Sequence, residues 1–591
     1  YAFKTTAFPM LTGTLVMIAG FIPVGFASSS AGEYCFSLFA VVLMALLSSW
    51  IVAILLSPLT GAWLLPEKLK HHAAGPGRMA RGYGRLLRTA LRHRLAPRGI
   101  ALAALGLSVY GTTFMLGEFF PSSDRPELLV SLTLPANASQ SATEKQTERL
   151  ERALAGNRNI DHYSTYVGSG AIRFYLPMDV LLDNENTAQL VVVAKDLAAR
   201  DRLWKQLNTL LSAQFSDLTS RVSPLELGPP VGWPIKYRVS GPDYLKVREY
   251  AGRLAEAIGR SPLTREVNQT AGEPERTLVL QVNQTAARAA GVSSQSLAQT
   301  LNTVWSGTTV TSIRDDDRLV DVVLRANDSE RLNLATLSSL TVEGRDGQKI
   351  PLGAVATPVW GVDDPVLWRR QRLPFITVQT DLAPGMRAEG VSDGLRPTVD
   401  KLRAGLPSGY SIVEGGVAAE SEKGNSSVFD ILPVTLGVML LLLMLQLRRY
   451  SRMLLALFMA PFGLPGIVMA MLPSDTPMGF VALLGAIALA GMIIRNAVIL
   501  ISEVDNNLAQ GMESDAAIIA AAEHRARPIF LTACAAILGM IPISHQAFWG
   551  PMAYAIIGGL IVATLVTLTV LPASFSMLLG MGRYWKRRHA A

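Results

Sequence analysis

Cysteine is nearly absent from this chain: Cys35 and Cys534 are its only two, both in or beside apolar runs, which argues against a disulfide scaffold or a cysteine metal site. Histidine is sparse as well, with 7 residues scattered along 591. No HExxH, GxSxG or GxxxxGK[ST] pattern occurs, so zinc-protease, serine-hydrolase and nucleotide-binding signatures are missing, and no enzyme reading has a supporting motif. Charge is scarce: 17% of residues are Asp, Glu, Lys or Arg, against 50% hydrophobic and a mean hydropathy of +0.30. That balance excludes one ordinary soluble domain, and the length excludes a single core. The chain begins at Tyr1 with neither an initiator methionine nor a signal-peptide pattern, and reads as a piece of something longer.

What the sequence has in quantity is long apolar runs. Stretches near the roughly 20 residues that cross a bilayer fall at 8–27, 36–64, 99–120, 429–447, 453–472, 478–501, 528–543 and 552–579, the seventh being short. The net charge of +8 resides largely in one inter-helix loop holding Lys68, Lys70, Arg78, Arg81, Arg85, Arg88, Arg92, Arg94 and Arg98. Tyr83 is the single aromatic among them, which is not the aromatic-interleaved basic patch of a nucleic-acid surface, so the loop reads as cytoplasmic and no nucleic-acid partner is expected. Placing it in the cytoplasm also places Arg448, Arg449, Arg452, the segment 502–527 and the tail Lys586, Arg587 and Arg588 there. The soluble segment 121–427 then lies outside the cytoplasm.

Within that segment strands and helices alternate. PELLVSLTLP reads as a strand, and SATEKQTERLERALAG as a helix opened by a capping box from Ser141 to Glu144. IDHYSTYV, IRFYLP and AQLVVVA read as strands, followed by a helix in DRLWKQLNTLLSAQF and a closing strand in SRVSPLEL. This βαβ-βαβ pattern predicts a ferredoxin-like lobe. A second such unit is split: IKYRVSG, DYLKVREYAGRLAEAIG and LTREVNQT form one half, and LPFITVQTD, GMRAEGVSDGLRPTVDKLRAG and YSIVEGG the other. The insert between them carries a helix around SSQSLAQTLNTVW and a hairpin turning at Asp346-Gly347. Two alike lobes point to a ligand cleft between them.

The predicted fold is a polytopic α-helical membrane protein with a large α+β extracytoplasmic region. Its parts are two transmembrane helices in 1–65, a basic cytoplasmic loop in 66–98, a transmembrane helix in 99–120, and a first lobe in 121–234. The first half of the second lobe follows in 235–274, the insert in 275–357, the second half in 358–427, five transmembrane helices in 428–580 and a basic tail in 581–591. FPMLTGTLVMIAGFIP near the start and RPIFLTACAAILGMIP near the end share one spacing, with Pro9, Gly20 and Pro23 matching Pro528, Gly539 and Pro542. Internal repeats of this kind build many transporters. If each half is a span, a soluble domain and five more spans, the opening part of the first half is expected to precede Tyr1.

Ionisable residues are few within the spans. Arg495, in GMIIRNAVILISEVDN, is the deepest, and a cation at that depth is either an interfacial anchor or part of a charge-handling site. Arg525 and Arg527 stand where the cytoplasmic segment meets the seventh span, with Thr532 on one helical face with Arg525. These read either as topology anchors and a packing residue or as members of the same charge-handling set.

The stretch GAIALAGMIIRNAVILISEVDNNLAQGMESDAAIIAAAEHRARPIFLTACAAILGMIPIS resembles the signature region of resistance-nodulation-division (RND) efflux pumps, particularly the inner-membrane subunits that export amphiphilic drugs. FPMLTGTLVMIAGFIPVGFASSSAGEY resembles the fifth span and its loop in the same family, and the likeness covers essentially the whole chain. The resemblance implies a homotrimeric proton antiporter of the bacterial inner membrane. Its two periplasmic porter lobes would be joined by a docking insert, and it would work with a periplasmic adaptor protein and an outer-membrane channel. No cofactor is implied beyond the proton-motive force; the substrates would be amphiphilic small molecules drawn from the periplasm or the membrane lipid. Arg495 matches a helix position where many relatives carry lysine paired with two aspartates of the first half, and Arg525 and Thr532 match further members of that proton relay. Arginine does not realistically deprotonate, so Arg495 would act as a fixed counter-ion. Trp233 and Ile235 match positions at the mouth of the substrate cleft, where an indole suits large apolar guests, although a packed linker tryptophan fits the sequence equally. Two readings compete with a pump: a protein-translocation auxiliary of the same superfamily, and a membrane receptor or scaffold with a periplasmic ligand.

Overall fold

The computed structural model describes residues 2–64, 78–115, 117–121, 123–327, 334–345 and 347–589; Lys68, Lys70 and the turn residue Asp346 lie outside them. The chain divides into two compact units, one made of Tyr1–Leu134, Ala138–Thr270 and Arg369–Ala591, the other of Pro135–Asn137 and Ala271–Trp368.

Among the described residues of the first unit, six helices are long and apolar enough to cross a membrane: Ser30–Gly61, Gly416–Leu447, Tyr450–Met471, Phe480–Ala509, Ser514–His545 and Gly550–Gly580. Two of the eight expected spans are shorter as helices. The first reaches Gly20 and breaks at Phe21, where Pro23, which has no N–H to donate, opens the four-residue turn Ile22–Gly25. The third is the 17-residue helix Ala96–Thr112 and does not continue to residue 120. Its last hydroxyls fold back on their own helix, Thr112 to the Val109 carbonyl and Thr113 to that of Tyr110, both at 2.7 Å. The chain then pairs Gly117 with Met478.

Helix Phe480–Ala509 is the axis of the bundle, and small residues let its neighbours close on it. A Cβ on Gly491 would meet Met17 Cα at 3.4 Å, and one on Gly20 would meet Gly491 Cα at 3.5 Å. Elsewhere in the bundle a Cβ on Gly466 would sit 2.1 Å from the Gly558 carbonyl oxygen. Between apolar helices in lipid there is little hydrophobic gain, so such close backbone contact carries much of the association.

The first lobe is a four-stranded sheet in the order Ile160–Val167, Thr187–Ala194, Glu127–Thr133, Thr219–Pro224, with every neighbouring pair antiparallel. Helices Gln140–Leu154 and Leu197–Gln214 pack on it, burying Leu150, Leu154, Leu203, Leu207 and Leu211 against Leu128, Val130, Leu190 and Val192. The first helix starts earlier than the expected capping box: Ser139 is its cap, accepting from the Ala142 N–H at 3.3 Å. IRFYLP is no strand. Gly168 donates to the Thr187 carbonyl, Ala171 to the Gln189 side chain and Asn184 to the Gly168 carbonyl, so this segment forms a loop closed on itself.

The second lobe repeats the order: Thr264–Gln269, Leu373–Leu382, Ile235–Ser240, Ser411–Gly415, again antiparallel. Its helices are Tyr244–Gly259 and Ala388–Ala404.

The main segment of the second unit runs from Ala271 to Trp368, wider than the insert expected at 275–357. Strands Glu275–Val282 and Ala356–Asp363 pair antiparallel, and Thr341–Glu343 pairs with Lys349–Pro351 around a turn in which Gly347 has φ +75°. Leu297, Val342, Leu352 and Val355 form its core. A further hairpin, Thr308–Asp315 with Arg318–Leu324, was not legible in the sequence; most of its side chains are exposed.

Candidate functional site: a membrane cation and a periplasmic cleft

Arg495 lies midway along helix Phe480–Ala509 and faces helix Ala2–Gly20. Its aliphatic stem crosses Gly13, where an added Cβ would stand 3.0 Å from Arg495 Cγ, and its Nη1 reaches the Met17 sulfur at 3.4 Å. Among the described residues no carboxylate forms an ion pair with it. The glycine opposite makes room for the guanidinium between two membrane helices.

Arg525 is engaged elsewhere. Its Nε and Nη2 donate to one oxygen of Glu503 at 3.1 and 2.6 Å, and His524 Nδ1 stands 3.0 Å from the other. Glu503 is eight residues past Arg495, about 12 Å along the helix. Thr532 is exposed and donates to the Ile529 carbonyl of its own helix at 2.9 Å. Among the described residues no hydrogen bond or ion pair joins Arg495 to Arg525 or Thr532. Beside this group Arg452 pairs with Asp505 and lies over the Phe575 ring at 5.7 Å.

A polar chain that sequence reasoning missed runs through the same bundle. Buried Thr12 donates to Gln446 Oε1 at 3.0 Å, and Gln446 Nε2 reaches the Ser502 hydroxyl at 3.4 Å. Ser502 is two turns from Arg495 on the same helical face. The available signal was Gln446 inside the apolar run MLLLLMLQL, since an amide among membrane helices requires a partner.

In the soluble part of the first unit the two lobes enclose a cleft of about 410 Å³. Phe119, Phe120, Trp204, Leu225 and Met386 supply apolar surface, and Arg200, Arg221, Asp381 and Glu389 supply charge. The charges are held in place. Asp381 accepts from Arg265 at 3.1 Å, and Arg265 in turn lies 5.1 Å from the Trp204 ring centre. Arg221 donates to the Gly232 carbonyl at 2.8 Å, and Glu226 accepts from the Val231 N–H at 2.7 Å. Burial pushes the carboxyls of Glu226 and Glu389 above the usual range, despite the backbone N–H bonds and nearby arginines. The same burial lowers the Lys236 ammonium.

Trp233 and Ile235 stand off this cleft. Val231, Gly232 and Pro234 line it, whereas Trp233 turns to a separate cavity of about 80 Å³ and lies 5.1 Å from Arg221 in a cation–π contact. Ile235 is buried as the first residue of its strand, opposite Thr380. Trp204, on a helix and flanked by arginines, is the indole that lines the main cleft.

A multi-pass helical bundle carrying paired ferredoxin-like lobes with a domain inserted into one of them is the architecture of an RND permease. A family model described as the AcrB/AcrD/AcrF family matches residues 1–579, and the chain belongs to that family of inner-membrane RND transporters. It is 23% identical to the swarming motility protein SwrC of Bacillus subtilis (strain 168), over 96% of this chain and 54% of that protein. It is 23% identical to the multidrug resistance protein MdtC of Proteus mirabilis (strain HI4320), over 98% and 57%. It is also 24% identical to the nickel-cobalt-cadmium resistance protein NccA of Alcaligenes xylosoxydans xylosoxydans, over 97% and 54%. The chain therefore spans about half the length of the curated relatives it matches. A crystal structure of a heavy metal efflux pump shares the fold, with a TM-score of 0.76 at 22% identity over 98% of this chain and 58% of that one.

Proposed function

We propose that this chain is part of a proton-driven RND pump subunit that exports amphiphilic compounds through the cleft between its two lobes, as a trimer with a periplasmic adaptor and an outer-membrane channel. Arg495 carries the reading: a permanent cation sits between membrane helices, and among the described residues no carboxylate pairs with it. A pump that moves protons needs carboxylates whose charge changes, and a fixed guanidinium beside them lowers the cost of their ionised state. In this proposal those carboxylates come from the rest of the full-length protein. Arg525, held by Glu503, acts further along the same route toward the cytoplasm, and Thr532, two turns beyond Arg525 on its helix, acts at about the depth of Arg495.

The cleft supports an amphiphilic cargo. Its aromatic walls suit apolar groups, its arginines and carboxylates suit polar ends, and its lining contains neither cysteine nor histidine for a borderline metal ion. Trp233 and Ile235 contribute as supports behind the cleft wall. Nickel or cobalt export is the competing outcome, favoured by NccA among the relatives.

The test is accumulation of a lipophilic dye and of Ni²⁺ in a pump-deficient Gram-negative host making the full-length protein with its adaptor. Wild type, Arg495→Ala, Arg495→Lys and Trp204→Ala are compared at equal membrane abundance. Dye export is expected to disappear in Arg495→Ala, to persist in Arg495→Lys and to weaken in Trp204→Ala. Undiminished dye export by Arg495→Ala reduces the arginine to an anchor and ends the coupling model; export of Ni²⁺ without dye overturns the substrate class.

A further inference from the structure

The basic loop contains a helix, Arg78–Arg92, that the transport reading leaves without a role. One side of it belongs to the membrane bundle: Leu87 and Leu91 are buried in the main core, and the Tyr83 hydroxyl donates to the Leu568 carbonyl at 2.9 Å. Leu568 lies about 27 Å along helix Gly550–His589, close to the roughly 30 Å thickness of a hydrocarbon layer. The helix therefore sits at the level where acyl chains give way to head groups on the cytoplasmic side.

Its arginines are ordered by the helical repeat. Arg81, Arg85, Arg88 and Arg92 follow each other at i, i+4, i+7 and i+11, which places all four on one stripe. All four are exposed, and among the described residues none of them forms an ion pair with a carboxylate. Arg94, just beyond the helix, behaves differently: it reaches Asp515 at 3.1 Å. On the flank away from the stripe Leu86 is 55% exposed, an apolar side chain at membrane level that the described residues leave open. A basic stripe and an exposed leucine about 100° round the helix from Arg85, on a helix fixed at the interface, give it the charge and shape to hold the head group of an anionic lipid on one side and meet acyl chains on the other.

We propose that the Arg81, Arg85, Arg88 and Arg92 stripe is a binding site for anionic phospholipid of the cytoplasmic leaflet, with the phosphate on the arginines and an acyl chain along Leu86. A random scatter of topology-setting charges would not need one helical face or an apolar flank.

The experiment uses the purified full-length protein exchanged into bilayers of phosphatidylcholine with a minority of phosphatidylglycerol, measuring the phosphatidylglycerol that co-purifies relative to the bulk. Wild type is expected to be enriched, with affinity falling about five-fold for each arginine replaced. Arg85→Gln/Arg88→Gln removes most of the enrichment, and Arg85→Lys/Arg88→Lys keeps it. Leu86→Asn leaves the four arginines and the net charge intact and also loses enrichment, which separates lipid binding from an effect of charge on topology or folding. Equal enrichment in wild type and Arg85→Gln/Arg88→Gln overturns the proposal. So does displacement of the lipid by millimolar inorganic phosphate, which would mark a soluble-anion site.

Discussion

Arg525 and Glu503, on neighbouring membrane helices, are joined by two hydrogen bonds that converge on a single carboxylate oxygen. Both side chains are largely enclosed, at 31% and 16% exposure, whereas His524 on the other oxygen is 71% exposed. The two contacts to Glu503 are therefore unequal.

Removing the carboxylate strands the guanidinium. Glu503→Ala should lower the unfolding free energy of the full-length protein by about 1–3 kcal/mol, while His524→Ala should stay within about 0.5 kcal/mol. Thermal unfolding in detergent compares them, and equal effects would show that Glu503 and Arg525 contribute no more than a surface pair.

Close packing at Gly491 sets the distance between helices Ala2–Gly20 and Phe480–Ala509. Gly491→Leu has to push Met17 and its backbone away, at a cost of about 1–3 kcal/mol or more. The same displacement shifts the helix that Arg495 faces, so dye export should fall even in preparations that retain the fold. Normal export with a leucine at this position would mean that the crossing is not tight.

Two glycines of the lobes share a left-handed backbone but not its surroundings. Gly228 has φ +83° and an added Cβ would lie 2.6 Å from the Phe120 ring; Gly385 has φ +81° and open space. Gly385→Ala should cost only the backbone term of about 1–2 kcal/mol, and Gly228→Ala distinctly more, about 2–4 kcal/mol. Unfolding midpoints in denaturant test the order, and a reversed order contradicts the packing of Phe120 against that turn.

Glu226 and Glu389 give a pH signature of unusual sign. Burial raises both carboxyls in the folded state, so the folded lobes hold protons that the unfolded chain releases at the same pH. The penalty is fully present well above the raised values and is relieved as pH falls through them. As pH falls from well above the raised values toward the ordinary carboxylate value of 4.5, the wild type should therefore gain stability relative to Glu226→Gln/Glu389→Gln. A parallel pH dependence of the two unfolding temperatures would rule these carboxyls out as its source.

Much of this architecture is legible in the sequence because the signals are long and periodic. The long apolar runs and the alternation within the lobes are read without knowledge of partners. IRFYLP fails for the opposite reason. Its alternating apolar residues suit a strand, yet Gly168 and Asn184 tie the segment into a loop in which Ala171 and Met178 are buried while Ile172, Leu176 and Leu182 face outward. The membrane charges are visible as residues but not as pairs. Nothing local in HRARPIF indicates that Arg525 is taken by Glu503, because that depends on how two helices lie side by side. Trp204 is similar: its helical spacing marks it as a packing residue, and only the second lobe's Arg265 and Asp381 turn it into a cleft wall.

The second lobe's sheet has a consequence for how the protein is made. Strand Thr264–Gln269 pairs with Leu373–Leu382, and that partner leaves the ribosome about a hundred residues later, a wait of roughly 5–20 s. All of the residues that build the core around Val342 and Leu352 emerge during that wait. The growing chain thus holds an unfinished sheet edge open while the inserted domain is produced, and during this interval the edge is exposed to mispairing.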